Sequence, residues 1–311
     1  MYLTVCPNTA LDRILFIDEW IAGNTMRTDH IIDCVGGKGL NSAVVLKHLN
    51  VNTTALGFFA GKIGKDLMNI LDDYQISVKP IWVDGTTRIA HVIADKKRDI
   101  HSHVTAGRLD VKPHHRKEFV QQFDNLLEKS DYVIFGGSIP KSTAPDLYTE
   151  LVAKAKKKMV PTLVDAHHET MTEAIKAKPD IVKMNWEEFG WTFNMRSTKI
   201  EELIEEAKHF YAKRDLKNLV ITMSKEGILA ITQEGIYLSK APLQKPVNAA
   251  GAGDAVSSTL AVKLIEGKTW EVAMQYASAV SAAAVLTEKT GDVWMKDVDR
   301  ILPHVIVEKI E

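Results

Sequence analysis

Short apolar runs rich in β-branched residues alternate along this chain with longer stretches of helical period. Tyr2–Val5, Thr54–Phe59, Tyr132–Phe135, Val160–Val164, Ile181–Lys183 and Leu219–Met223 are continuous rather than alternating. That is the pattern of strands covered on both faces. Between them, Phe119, Phe123 and Leu126 share one helical face, and Tyr148, Leu151, Val152 and Ala155 share another. Repeated strand-then-helix order predicts an α/β fold with a mostly parallel sheet between helical layers.

Two regions break the rhythm. Residues 13–35 and 86–105 carry strand-like runs with polar interruptions: Arg13–Ile17, His30–Cys34, Arg88–Ala94 and Asp99–Val104. No helix fits either region. They are expected to pair as a small sheet beside the main body, where it would serve as a lid. With no repeat and no low-complexity linker, residues 1–311 are expected to form a single domain.

Composition narrows the classes. The 311 residues are 45% hydrophobic and 25% charged, as in a globular protein with a substantial core. A net charge of -1 gives no broad positive field for nucleic acid. No apolar run reaches the ~18 residues of a membrane helix, and the first residues read as a strand rather than a leader. Cys6 and Cys34 stand far apart in no metal-ligand spacing. They are expected to be reduced thiols of a cytoplasmic protein.

The sharpest chemical feature is Asn248-Ala249-Ala250-Gly251-Ala252-Gly253-Asp254, followed by Val256, Leu260 and Leu264 on one helical face. A glycine-rich turn thus opens onto a helix N-terminus, whose free amides and dipole favour an anion. Asp254 in the first turn is placed to take a proton from an attacking hydroxyl, although an Asp there is also what an N-cap looks like. A second cluster, Gly36-Gly37-Lys38-Gly39-Leu40-Asn41, also leads into a helical stretch. It lacks the Walker A spacing, and it fits either a tight turn or a close ligand approach with Lys38 and Asn41 as polar contacts.

Together these clusters resemble the ribokinase-like (PfkB) carbohydrate kinases. The resemblance covers nearly the whole chain. Pro7–Asp12 is similar to the family's first loop, Lys183-Met184-Asn185-Trp186-Glu187-Glu188 to its Lys-x-Asn-x-x-Glu segment, and Gly136–Pro140 to its Gly-Ser-Leu-Pro turn. It implies a three-layer α/β/α sandwich with a β lid, ATP and Mg²⁺ as cofactors, and a homodimer through the lid. It implies catalytic roles for Asp254 and the backbone of Gly251, Ala252 and Gly253. Sugar contacts would come from Asp12, Gly37, Lys38, Asn41 and Ser138. Nucleotide contacts would come from Lys183, Asn185, Thr222, Ser224, Gly227, Ala249, Gly251, Gly253 and Ser281. Asn185 and Glu188 would organise the metal.

Within the family the chain is most similar to the branch of 1-phosphofructokinase, tagatose-6-phosphate kinase and the minor 6-phosphofructokinase. Arg27 and Arg88 fall in the expected lid, and the resemblance places both near substrate. Guanidinium forks suit a phosphate dianion, which implies a phosphorylated ketohexose. A kinase for a neutral sugar or nucleoside, or a catalytically silent sensor, stays open at this level. Three departures stand out. Ala249-Ala250 replaces the usual Thr-Val. Asp165-Ala166-His167-His168-Glu169 replaces Asp-Thr-Ser-Gly-Glu. Thr222-Met223-Ser224-Lys225-Glu226-Gly227 lacks the first glycine of Ser-Leu-Gly-x-x-Gly, which implies a changed turn. The pairs His101/His103, His114/His115 and His167/His168 lack partners at metal spacing and read as polar surface or lid residues, and Lys156–Lys158 as a solvated face.

Overall fold

The computed structural model describes residues 1–98 and 100–311, together with the backbone but not the side chain of His101. Asp99 of the expected strand lies outside the described residues.

The six apolar runs are all strands of one ten-stranded sheet. Its order is Ile306–Lys309, Gly235–Lys240, Ile228–Thr232, Asn218–Thr222, Ile181–Asn185, Thr162–Asp165, Tyr132–Gly136, Tyr2–Cys6, Thr53–Phe59 and Ser77–Trp82. From Asn218–Thr222 to Ser77–Trp82 every pairing is parallel, and the three strands beyond are added antiparallel. Side chains leave the sheet alternately into two cores. Leu3, Val5, Val133 and Phe135 face helices Pro113–Leu127, Leu147–Lys157 and Ile200–Arg214. Tyr2, Tyr132 and Ile134 face helices Ala252–Ile265 and Trp270–Ala284. The alternation is hidden in the sequence because both faces are apolar. Phe58 and Phe119 meet with ring centroids 4.5 Å apart, both fully buried. Burying a ring this completely contributes about 2–3 kcal/mol.

Ser77–Trp82 escapes the periodicity reading because it is an edge strand. Its outer residues are exposed and it contains Pro80, which only an edge tolerates. The two irregular regions do pair as a separate sheet, in the order Ile31–Gly36, Ala10–Ile17, Arg88–Asp95, Ile100–Ala106. Ile14, Phe16, Cys34, Val92 and Ala94 form its own small core. Residues 18–30 are loop, so that part of the expected lid is not strand. Among the described residues no helix is long and apolar enough to cross a membrane.

Candidate active site

Parallel sheets bind ligands at the carboxyl ends of their strands, and the register brings the predicted residues together there. Asp165 ends one strand directly opposite Lys183, and Asn185 lies opposite Thr222. Asp165 is the hub. It accepts from Lys38 Nζ at 2.6 Å, Lys183 Nζ at 2.6 Å and Ser257 Oγ at 2.9 Å. Burial alone would raise its pKa, but the two ammonium groups hold it down to about 2. Removing either lysine would leave a buried charge short of a partner.

Asp254 sits 5% exposed in the first turn of Ala252–Ile265, beyond Gly251 at φ +83°. A Cβ on Gly253 would stand 2.7 Å from Lys183 Nζ, so the missing side chain admits the ammonium to the loop. Asn41 Nδ2 donates to Asp254 at 2.9 Å. Burial, and then the charge on Asp165, push Asp254 up to about 7 against the pull of Lys183, Lys38 and Asn41. Two buried carboxylates thus diverge, the arrangement that separates a structural anion from a base near neutrality. Asn41 Oδ1 is buried without a partner, so a vacant acceptor stands beside Asp254.

A cavity of about 450 Å³ opens from this point. Lys38, Lys183, Asn185, Glu188, Thr222, Ser224, Gly227, Ala249, Ser281 and the 251–254 loop all line it. Ser278 and residues Ala241, Pro242, Leu243, Gln244 and Pro246 also line it; the latter lie on irregular chain with no motif to mark them beforehand. Asn185 and Glu188 have a second occupation. They form a capping box on Trp186–Phe193, with Asn185 Oδ1 accepting from Glu188 N at 2.7 Å and Glu188 Oε2 accepting from Asn185 N at 3.0 Å. Glu188 Oε1 also receives Lys38 at 2.7 Å. Their oxygens face the cavity but are already hydrogen-bonded, a donor set that suits Mg²⁺ held through its own waters.

The sugar-side residues gather where the small sheet meets the main one. Asp12 is 8% exposed, and burial pushes it up to about 7, opposed by Thr290 and Arg88. A Cβ on Gly36 would stand 2.0 Å from Asp12 Oδ1, so only glycine leaves that carboxylate its place. Gly37 takes φ +92° and starts the Lys38–His48 helix. Arg88 is half-buried; its Nη2 donates to the Asn8 carbonyl at 2.6 Å and its Nε has no partner. Asn8 Nδ2 donates to Ser138 Oγ at 2.9 Å. Asn8 was thus visible in the first-loop motif but was not singled out. Arg27 lies apart from this group, exposed on the 18–30 loop.

Two departures resolve as backbone geometry. Ser224 and His168 hold φ +53° and +51°, the left-handed conformation that glycine ordinarily supplies. In the 222–227 turn Gly227 takes φ +104°, and Ser224 takes the left-handed conformation at the position where the resemblance has glycine. His168 stacks on Trp191 at 6.2 Å, and its N–H donates to Thr192 Oγ1. His115 is buried, not surface: its Nδ1 accepts from Lys112 N at the start of Pro113–Leu127. No metal-binding cluster of His, Cys, Asp and Glu occurs among the described residues.

Known proteins resemble this chain in sequence and in fold. The chain is 27% identical over 310 residues to the 1-phosphofructokinase of Bacillus subtilis, each chain covered completely. It is 24% identical over 312 residues to the tagatose-6-phosphate kinase of Staphylococcus epidermidis, again with complete coverage of both. The fold superposes on a possible 1-phosphofructokinase from Thermotoga maritima with a TM-score of 0.89 and 23% identity, covering 100% of each chain. Phosphofructokinase-2 of Escherichia coli, in complex with substrates and products, gives 0.85 at 20% identity, covering 97% of this chain and 98% of that one. Residues 5–296 match the pfkB family of carbohydrate kinases. With the glycine loops, the buried carboxylates and the sheet-end cavity in place, the chain belongs to the pfkB family of carbohydrate kinases.

Proposed function

We propose that this chain transfers the γ-phosphoryl group of ATP to the free primary hydroxyl of a ketohexose phosphate, in the manner named for its 1-phosphofructokinase and tagatose-6-phosphate kinase relatives. The carrying observation is Asp254, buried, raised to about 7 and set at a helix N-terminus beside the vacant Asn41 Oδ1. ATP occupies the cavity between the 222–227 turn, the 248–254 loop and helix Trp270–Ala284. Asp254 takes the proton as the hydroxyl attacks in line. The amides of residues 251–254 and the charges of Lys38 and Lys183 stabilise the transferring group. Asn185 and Glu188 would hold Mg²⁺ at the cavity, and the ion would supply positive charge against the phosphates there.

The sugar lies on Asp12, Lys38, Asn41 and Ser138, its own phosphate at Arg88, whose unpartnered Nε supports an anion there. Arg27 is exposed on its loop and approaches the site only if the small sheet closes as a lid, which would also exclude water. Ile31, Ile100 and Val104 are exposed on that sheet, and we place a homodimer contact across them. The deciding assay follows ADP release from Mg·ATP with fructose 1-phosphate, tagatose 6-phosphate, fructose 6-phosphate, fructose and ribose. Turnover on one phosphorylated ketose, at least a thousandfold lower with Asp254→Asn, is expected. Turnover on a neutral sugar alone removes the role of Arg88, and silence on all five makes the chain a binding protein.

A further inference from the structure

The cavity has two chemically different halves. One carries the charges of Lys38, Lys183, Glu188 and Asp254, with the glycine loop beside them. With a triphosphate anchored there, the base falls in the other half, beyond the 222–227 turn. The apolar walls of that half come from Ile228 at the start of a strand, from Pro242, Leu243 and Pro246 on irregular chain, and from Ala282 and Val285 at the end of helix Trp270–Ala284. Ser278, Ser281, Ala282 and Val285 recur at the i, i+3, i+4, i+7 spacing, so one stripe of that helix faces the cavity. Leu243 lines the cavity yet is 81% exposed, so a flat ring bound here would cover it.

Telling one purine from another takes a polar group that reads the base edge: adenine presents an amino group where guanine presents a carbonyl, on rings of one shape. Three side chains in this half carry polar atoms, namely Gln244, Ser278 and Ser281. Two of them are turned to the protein. Gln244 Nε2 donates to the Pro242 carbonyl at 2.8 Å, and its Oε1 accepts from Arg300 Nη2 at 3.4 Å. Ser278 Oγ lies 2.6 Å from Ser239 Oγ, both residues buried. Pro242 and Pro246 have no backbone N–H to offer. That leaves Ser281, a half-buried hydroxyl that can both donate and accept. It accepts from the amino group of adenine as readily as it donates to the carbonyl of guanine. On the turn, Lys225 adds flexible donors alone, which a ring nitrogen common to both purines satisfies.

We infer that this kinase holds its donor by phosphate charge and apolar contact rather than by the base edge, and that it takes GTP as a phosphoryl donor alongside ATP. The step is the same with either: the sugar hydroxyl oxygen bonds the γ-phosphorus, the bond to the β-phosphate oxygen breaks, the nucleoside diphosphate leaves and the hydroxyl proton passes to Asp254. This rests on the reading of the cavity as the nucleotide site, so the first measurement needs no sugar. Full-length protein with Mg²⁺ is titrated calorimetrically with the non-hydrolysable imido analogues of ATP and GTP. Their Kd values are expected within about tenfold of each other, whereas a site built to hydrogen-bond one ligand rejects the other by about ten-thousandfold. A difference larger than tenfold, with the ATP analogue bound, overturns the inference and leaves the cavity assignment standing; binding of neither analogue overturns both. Leu243→Ala should weaken the two analogues by one common factor of about three to ten, as loss of apolar cover predicts. Ser281→Ala should leave their ratio within about twofold, since its hydroxyl serves either base. A Ser281→Ala variant that loses the ATP analogue alone shows that the edge is read, and sinks the proposal. In steady state, with whichever sugar phosphate turns over, kcat/KM for GTP should fall within about tenfold of that for ATP, and a wider gap counts against the inference in the same way.

Discussion

Asp254 and Asp165 are the same kind of side chain, both buried, and their surroundings drive them apart. Asp165 has two lysines within 2.6 Å, whereas Asp254 has one amide donor and the repulsion of Asp165 itself. The sign of each contribution to stability follows. Asp165, held at about 2, contributes stability that is complete above the ordinary carboxylate range and is lost as pH falls from about 4 toward 2. Asp254, raised to about 7, does the reverse: ionising it in the fold costs stability as pH rises from about 4 to 7. Asp254→Asn should therefore melt several degrees higher than the parent at pH 8, with a smaller gain at pH 5, while losing turnover. A variant less stable at pH 8 would mean that the carboxylate is not strained in the fold. Parent turnover should decline as pH falls below about 7, as the base protonates.

At the scale of elements, glycines set how closely helix and strand approach. A Cβ on Gly39 would stand 2.6 Å from the Val5 carbonyl oxygen, and one on Gly136 would stand 2.3 Å from Gly39 N. Backbone, unlike a side-chain tip, has nowhere to move. Gly39→Ala should lower stability by about 1–3 kcal/mol in urea unfolding and displace the helix that carries Lys38 and Asn41, so that kcat falls as well. A variant of full stability and activity would show that the Lys38–His48 helix is not seated this tightly. Ser224 and His168 are the counterexamples. Each accepts a left-handed backbone without being glycine.

For the whole molecule, the small sheet is the part whose purpose depends on motion or a partner. One face has its own core, while Ile31, Ile100 and Val104 face outward, and apolar surface of this kind marks an interaction site. Val104→Glu should convert a dimer to a monomer in light scattering and raise KM for the sugar phosphate. A parent chain that is already monomeric at micromolar concentration would remove the sheet as a dimer contact.

The parallel strands themselves, though not their order in the sheet, and the two glycine loops were legible in the sequence, since apolar continuity and local glycine spacing are properties of short segments. Asp12, Lys38, Asn41, Lys183 and Asp254 could be singled out as candidates, because the resemblance rests on motifs that survive as local strings. The added antiparallel strands and the edge strand Ser77–Trp82 were not read, as their pattern follows from position in the sheet rather than from their own residues. Asp165 as a hub depends on a contact across 127 residues and on strand register, whereas the capping box of Asn185 and Glu188 is a local pattern at one helix start. Composition and periodicity carry local preference, but the ionisation of a buried carboxylate is set by which distant charges the fold places against it, and that only the tertiary structure decided.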